Sequence, residues 1–309
     1  MKISQSKIGV NAKSGKLRIQ AAYHFMLLPG VILMLLFNYF PMYGIVMAFQ
    51  KYTPALGFSG SKMVGLANFR YIFSLPAIGQ LFKNTLLLAC SNLLLDIIIP
   101  VVVAIMISEV THSRYKRIVQ TIVYLPHFLS WVMLGVIFKQ MFAENGLFNN
   151  ILVNIGLERL PILSNGNWFR GMLITTNSWK EFGWGTIIYL AAIVGVDPSL
   201  YEAAVIDGAT RLQRIRHVTF PAIVSVIVLK LVLSLGSVLN ANFDQVFNMY
   251  NVLVYDYVDI IDTYVYRMGL VQAQFSVATA VGLLKSCIGM ILIVFSYGMA
   301  SRFANYRIF

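Results

Sequence analysis

Six apolar stretches dominate the chain, over residues 22–49, 84–109, 118–142, 171–195, 222–246 and 274–301, each bounded by short clusters of charge. Each holds about 20 or more mostly apolar residues, the length a tilted helix needs to cross a hydrocarbon core of about 30 Å. The pattern predicts an all-α polytopic membrane protein with six transmembrane helices. Residues 1–20 read as a basic N-terminal segment and residues 21–309 as a single transmembrane domain.

Composition agrees with that pattern. Of 309 residues, 58% are hydrophobic and 12% charged, about half the charged share of a soluble domain. Lys2, Lys7, Lys13, Lys16 and Arg18 precede the first apolar stretch with no acidic residue among them. That stretch is too long for a signal core and no small-residue cleavage site follows it, so it reads as a retained first span. With the N-terminus inside, thirteen Lys and Arg fall on the inner side and eight on the outer, with three more inside spans. The bias places both termini in the cytoplasm and makes the net charge of +12 a topology signal rather than a nucleic-acid signal. Cys90 and Cys287 lie singly in apolar stretches, which argues against disulfides and zinc alike.

The outer loops carry no catalytic constellation. Asn-Gly pairs at 145–146 and 165–166 mark turns in the loop 143–170. In the loop 247–270, Asp256, Asp259 and Asp262 stand among Tyr250, Tyr255, Tyr257, Tyr264 and Tyr266 without the glycine and glutamate of a calcium loop. An aromatic, wet interface with a partner protein or lipid headgroups fits that composition better.

Residues 197–221, DPSLYEAAVIDGATRLQRIRHVTFP, lie between the fourth and fifth stretches. Asp197 and Pro198 write a helix start, an oxygen cap followed by a proline in the first turn. Gly208 supplies a left-handed stop, and Thr210 with Gln213 a capping box that opens a second helix. Pro221 is expected to close the segment where the fifth span begins. The result is a cytoplasmic helix–turn–helix elbow.

Here the chain resembles the permeases of binding-protein-dependent ABC importers. Their hallmark reads Glu-Ala-Ala, three residues, Gly, nine residues, Ile-x-Leu and Pro. This chain has Glu202, Ala203, Ala204, Gly208 and Pro221 in that register, with Val218 and Phe220 at the Ile and Leu positions. Asn84-Thr85, Leu125-Pro126 and the late elbow resemble the oligosaccharide branch of the maltose-type family. The resemblance implies a type I ABC importer permease in a bacterial plasma membrane, a transport subunit and not an enzyme. It implies a second homologous permease, two ATPase subunits that hold ATP and Mg, an extracytoplasmic solute-binding protein and an oligosaccharide substrate. It also implies that Glu202, Ala203, Ala204, Asp207, Gly208 and Pro221 couple the elbow to the ATPase. The chain has no motor of its own: Gly9 and Gly15-Lys16 are misplaced for a phosphate loop, and Leu17 stands where Ser or Thr is needed.

Candidate pathway residues come from periodicity. On a continuous fifth helix, Lys230, Ser234, Ser237, Asn240, Asp244 and Gln245 fall within an arc of about 140°. Asn240 and Asp244 would then lie one turn apart, about 28 and 34 Å beyond Pro221. Such a stripe faces a water-filled path or glues helices together. Span four adds Asn177, Trp179, Lys180, Glu181 and Trp184, a mixture of rings and hydrogen-bonding groups that suits sugars. Lys180 and Glu181 point about 100° apart and need not pair. Asp96 and His127 are further candidates. The competing function is an ATP-independent secondary transporter or channel, which predicts internal repeats and ion sites and leaves the elbow unexplained.

Overall fold

The computed structural model describes residues 8–303. Lys2, Lys7 and Arg307 lie outside the described residues, as do the side chains of Lys13, Lys16, Arg18 and Arg302. Four helices are long and apolar enough to cross a membrane alone: Gln20–Phe49, Ala77–Ser108, Arg211–Leu235 and Phe275–Phe295. Counting each bent pair as one span, the described residues give up to six, with Ser113–Phe128 joined to Trp131–Met141 and Gly166–Val194 joined to the elbow helix Pro198–Ile206. These six correspond to the six apolar stretches, and the fold is an all-α polytopic bundle.

Span one begins inside the basic segment, as the helix Ile8–Met34, and tightens to a 3₁₀ helix over Phe40–Phe49. It lies against span six, where Ala48 packs with Ile72, Ile261, Ala280 and Val281. Spans two and four form the most extensive helix pair. Small residues permit their approach, as membrane packing requires. A side chain at Gly185 would meet the Pro100 ring at 2.9 Å, and one at Gly183 would overlap the Val123 carbonyl of span three. Below them Tyr189 and Ile193 pack with Val101, Ala104 and Ile223. Large apolar side chains elsewhere, such as Ile98, Met106, Ile291 and Val294, are exposed, as lipid-facing positions should be.

Three expectations need correction. Span three is not one helix over 118–142: Ser113–Tyr124 runs into a 3₁₀ turn at Leu125–Phe128, and the chain bends 97° before Trp131–Met141. Pro126 supplies no backbone donor to continue the ladder. Leu129 is extended, and Ser130 caps the new helix by accepting from the Met133 N–H at 3.3 Å.

Span five also breaks. Its helix ends at Leu235, Gly236 follows, and Asn242 takes a left-handed conformation (φ 54°) before a short helix, Phe243–Met249. The continuous 100° geometry therefore fails beyond Leu235. Asn240 and Asp244 are not one turn apart on a single helix, and heights counted from Pro221 do not apply to them.

Nor does Pro221 close the elbow. The helix Arg211–Leu235 runs through it without interruption. The preceding π turn, Ile215–Thr219, provides the local rearrangement that accommodates a residue lacking an N–H.

Candidate functional site

The elbow is built from local contacts. The Asp197 carboxylate accepts the Ser199 N–H at 2.9 Å, which holds its pKa below the usual carboxylate range. Pro198 opens the helix Pro198–Ile206, whose axis lies 70° from that of span four. Gly208 sits at φ +74°, a conformation costly for residues with a Cβ. The turn is closed by Gly208 N–H to the Val205 carbonyl at 3.0 Å and Ala209 N–H to the Ala204 carbonyl at 2.9 Å. Thr210 and Gln213 make a reciprocal capping box, with the Thr210 N–H donating to Gln213 Oε1 at 2.7 Å. Glu202, Ala203, Asp207 and Gly208 are exposed and Ala204 is half-buried.

Two features of the elbow escaped the sequence reading. Ile206 is 85% exposed and Leu212 74% exposed, with Leu200 and Val205 beside them, an apolar tip left uncovered among the described residues. The Tyr201 hydroxyl also meets the buried Thr219 Oγ1 at 3.0 Å. That bond fastens the first elbow helix to the root of span five.

On the membrane side, the break in span five brings Lys230, Asn240 and Asn242 into a cleft of about 320 Å³ with Asp96, Asn177 and Glu181. Asn242 Nδ2 donates to Asn177 Oδ1 at 2.6 Å. Trp184 forms one wall and stacks on His127, with centroids 4.6 Å apart and planes within 6°. His127 Nδ1 meets Glu181 Oε2 at 2.8 Å.

The other candidates disperse. Lys180 is only 6% exposed: its Nζ donates to the His127 carbonyl at 2.7 Å and to Glu181 Oε1 at 3.1 Å, and lies 5.6 Å from the Trp131 ring centroid. Adjacent residues do pair here, because the break in span three offers Lys180 a carbonyl that holds its ammonium beside Glu181. Trp179 meets Phe138 in a T-shaped pair with centroids 5.8 Å apart and does not line the cleft. Gln245 is buried and donates to the Leu173 carbonyl and Thr176 Oγ1 at 2.7 and 2.9 Å, so it holds helices together. Asp244 is exposed in the first turn of the short helix. Ser237 and Asn240 line a neighbouring cleft of about 440 Å³ with Lys285. There Lys285 Nζ binds both Asp262 oxygens at 2.6 and 2.8 Å and Asn240 Oδ1 at 2.8 Å. This junction was absent from the sequence reading, because its three members come from three separate elements.

Comparison with known proteins fits this architecture. YteP of Bacillus subtilis (strain 168), a polygalacturonan/rhamnogalacturonan transport system permease protein, is 45% identical over 295 residues, spanning 95% of this chain and 92% of its own length. LplB of the same organism is 42% identical over 287 residues, covering 93% of this chain and 90% of LplB. A crystal structure of a bacterial ABC transporter involved in import of the acidic polysaccharide alginate superposes with a TM-score of 0.86. The two chains are 37% identical, with 94% of this chain and 99% of that one covered. The same transporter class in complex with an alginate pentasaccharide-bound periplasmic protein gives 0.85 at 38% identity, over 93% of this chain and 96% of that one. Residues 96–305 match the family described as the binding-protein-dependent transport system inner membrane component. The chain belongs to that family: it is a multi-pass ABC transporter permease, a transport subunit and not an enzyme.

Proposed function

We propose that this permease imports oligosaccharides released from uronate-bearing plant or algal polysaccharides. It pairs with a second homologous permease, receives substrate from an extracytoplasmic binding protein, and is driven by two ATPase subunits that carry ATP and Mg. Both termini face the cytoplasm, on the same side as the elbow. The names of YteP and of the alginate importer support the substrate class. The excess of Lys and Arg in the elbow, the loop 110–117 and the terminal segments supports the orientation.

One observation carries the coupling role. The elbow offers an uncovered apolar tip beside the small Ala203, and it is tied rigidly to span five through Tyr201 and Thr219. An exposed apolar patch on a short, doubly capped helix pair marks a docking face. The helix that starts in the elbow at Arg211 is unbroken to Leu235. A push on the tip is therefore delivered at the break 236–242, where the polar cleft lies. That is rigid-body transmission from ATPase to pathway.

The test is reconstitution of the four-subunit importer with its binding protein in liposomes. ATP-dependent uptake of oligogalacturonides, lost when the binding protein is omitted, is the expected result. Uptake independent of ATP would overturn the proposal in favour of a secondary transporter.

A further inference from the structure

Spans three and four leave a groove between them that the coupling of elbow to pathway does not use. It holds about 430 Å³. Gln120 and Tyr124 line it from the helix Ser113–Tyr124, and Ile187, Leu190, Ala191 and Val194 from Gly166–Val194. The two helices run antiparallel. A side chain at Gly183 would overlap the Val123 carbonyl, whereas Val119, one turn earlier, packs against the cluster that holds Leu190 and Ile193. The groove follows span four for about 10 Å, at 1.5 Å per residue. It ends at Val194, three residues before the elbow's Asp197. Its span-four wall is wholly apolar.

The end nearest the elbow is headed by cations. Lys116, Gln120 and Tyr124 recur every four residues on one helix and so share a stripe. Two members of that stripe line the groove, which puts Lys116 one turn beyond its mouth. Arg117, three residues before Gln120, flanks the same turn, and Arg114 follows one turn further on. Arg114 and Arg117 are exposed and Lys116 is half-buried. The helix contains no acidic residue, and none of the three cations belongs to an ion pair among the described residues. Asp197, at the same end of the groove, already accepts the Ser199 N–H. An apolar slot in a membrane face, headed by cations without counter-charges, complements both halves of an amphiphile.

We propose that this groove binds an anionic phospholipid, with its phosphate at Lys116 and Arg117 and one acyl chain along Tyr124, Ile187, Leu190 and Val194. Phosphate oxygens accept charge-assisted hydrogen bonds from ammonium and guanidinium groups. Basic pockets between membrane helices favour anionic headgroups for that reason. A zwitterionic headgroup brings its own cation and gains less there. The acidic face of a partner protein would answer the cations but leave the slot unfilled. The lipid sits at the root of the elbow, where span four turns 70° into Pro198–Ile206.

The test uses the assembled importer, with the second permease and the ATPase subunits in place. It is labelled in detergent by phosphatidylglycerol carrying a photoreactive diazirine on one acyl chain, and the labelled peptides are mapped. Label on 120–124 and 187–194, at least about fivefold above that from the matching phosphatidylcholine probe, is the expected result. Lys116→Gln combined with Arg117→Gln should weaken phosphatidylglycerol binding about 25-fold at low salt, roughly fivefold for each cation. Ala191→Phe, on the exposed part of the wall, should lower the label without touching a charge. Excess glycerol 3-phosphate should leave the lipid in place; displacement would reassign the cations to a soluble phosphate. Equal label from the two lipids, label found only elsewhere, or label unchanged in the charge variant would each overturn the site. So would absence of label because a partner subunit covers the groove. If either variant fails to assemble, the native complex decides alone. Raising salt from ~0.05 to ~0.5 M should bring the phosphatidylglycerol label down toward the phosphatidylcholine level, and a salt-independent ratio rejects the headgroup contact.

Discussion

The two ends of span five are held in opposite ways. From Arg211 to Leu235 the chain is one helix, and its root is fixed to the elbow by backbone caps and the Tyr201–Thr219 bond. From Gly236 to Asn242 no helix continues. The segment beyond is held by side-chain bonds from Asn242, Gln245 and Asn240, the last to Lys285, and by Val246 and Met249 buried in the core. Span three repeats the contrast, with a bend of 97° at Phe128–Trp131. The short helices after the two breaks meet where Gly135 lies against Asn248, at 3.1 Å from a built Cβ to the Asn248 carbonyl. A continuous helix keeps its length when pushed at one end, whereas the non-helical stretch 236–242 has no helical ladder to hold it straight. On the proposed reading the elbow half is a lever, and the half beyond the breaks is what the lever rearranges.

Four substitutions probe that contrast, from the largest expected effect to the smallest. Gly208→Val should be the most damaging. At φ +74° a β-branched residue is strained by roughly 1–3 kcal/mol or more, and the turn would open to relieve it. ATPase co-purification and uptake should fall at least about tenfold while the chain still inserts in the membrane; retention of both would break the lever account.

Lys285→Met comes next, since it leaves Asp262 without the cation that now binds both its oxygens. Removing one partner of a fully buried pair costs about 3–5 kcal/mol. With Lys285 and Asp262 side chains 15% and 27% exposed, a smaller loss is expected. Thermal stability of the purified complex should drop, and Lys285→Met combined with Asp262→Asn should recover part of it. A double variant no better than the single one would show that the pair is not what holds the break.

Tyr201→Phe removes one hydrogen bond, roughly 0.5–1.5 kcal/mol. Transport per ATP hydrolysed should fall by about two- to tenfold with assembly intact, and an unchanged ratio would place the stiffness elsewhere.

Asp244→Ala should do least. The carboxylate is exposed in the first turn of a short helix, where a helix-dipole contribution is roughly 0.3–1 kcal/mol. A loss of uptake beyond about fivefold would place Asp244 in the pathway.

What the sequence disclosed depends on how far apart the interacting residues are. The caps of the elbow were legible because donors and acceptors lie within three residues of each other, as at Asp197 with Ser199 and Thr210 with Gln213. The six spans were legible because burial in lipid demands long apolar runs. The break in span five was not, because Val238, Leu239 and Ala241 keep the segment apolar through the interruption, and they are buried. Gly236 and the Asn240-Ala241-Asn242 run carried the only local signal, and a helical wheel converts those polar residues into a stripe. Gln245 belonged to that stripe on paper, yet it bonds a carbonyl 72 residues away. The pairing of Lys180 with Glu181 depends on a carbonyl at His127, which exists as a free acceptor only because span three bends. Local chemistry writes the elbow; tertiary contacts write the region beyond the breaks.

The most direct measurement compares distances within and across the break, in the assembled importer lacking Cys90 and Cys287. Spin labels at Gln213 and Leu233, both exposed and both on Arg211–Leu235, report the lever. Labels at Leu233 and Asp244 span the break. On ATP binding the first distance should stay fixed while the second changes by several ångströms. A lever that changes length while the distance across 236–242 stays fixed would contradict the account.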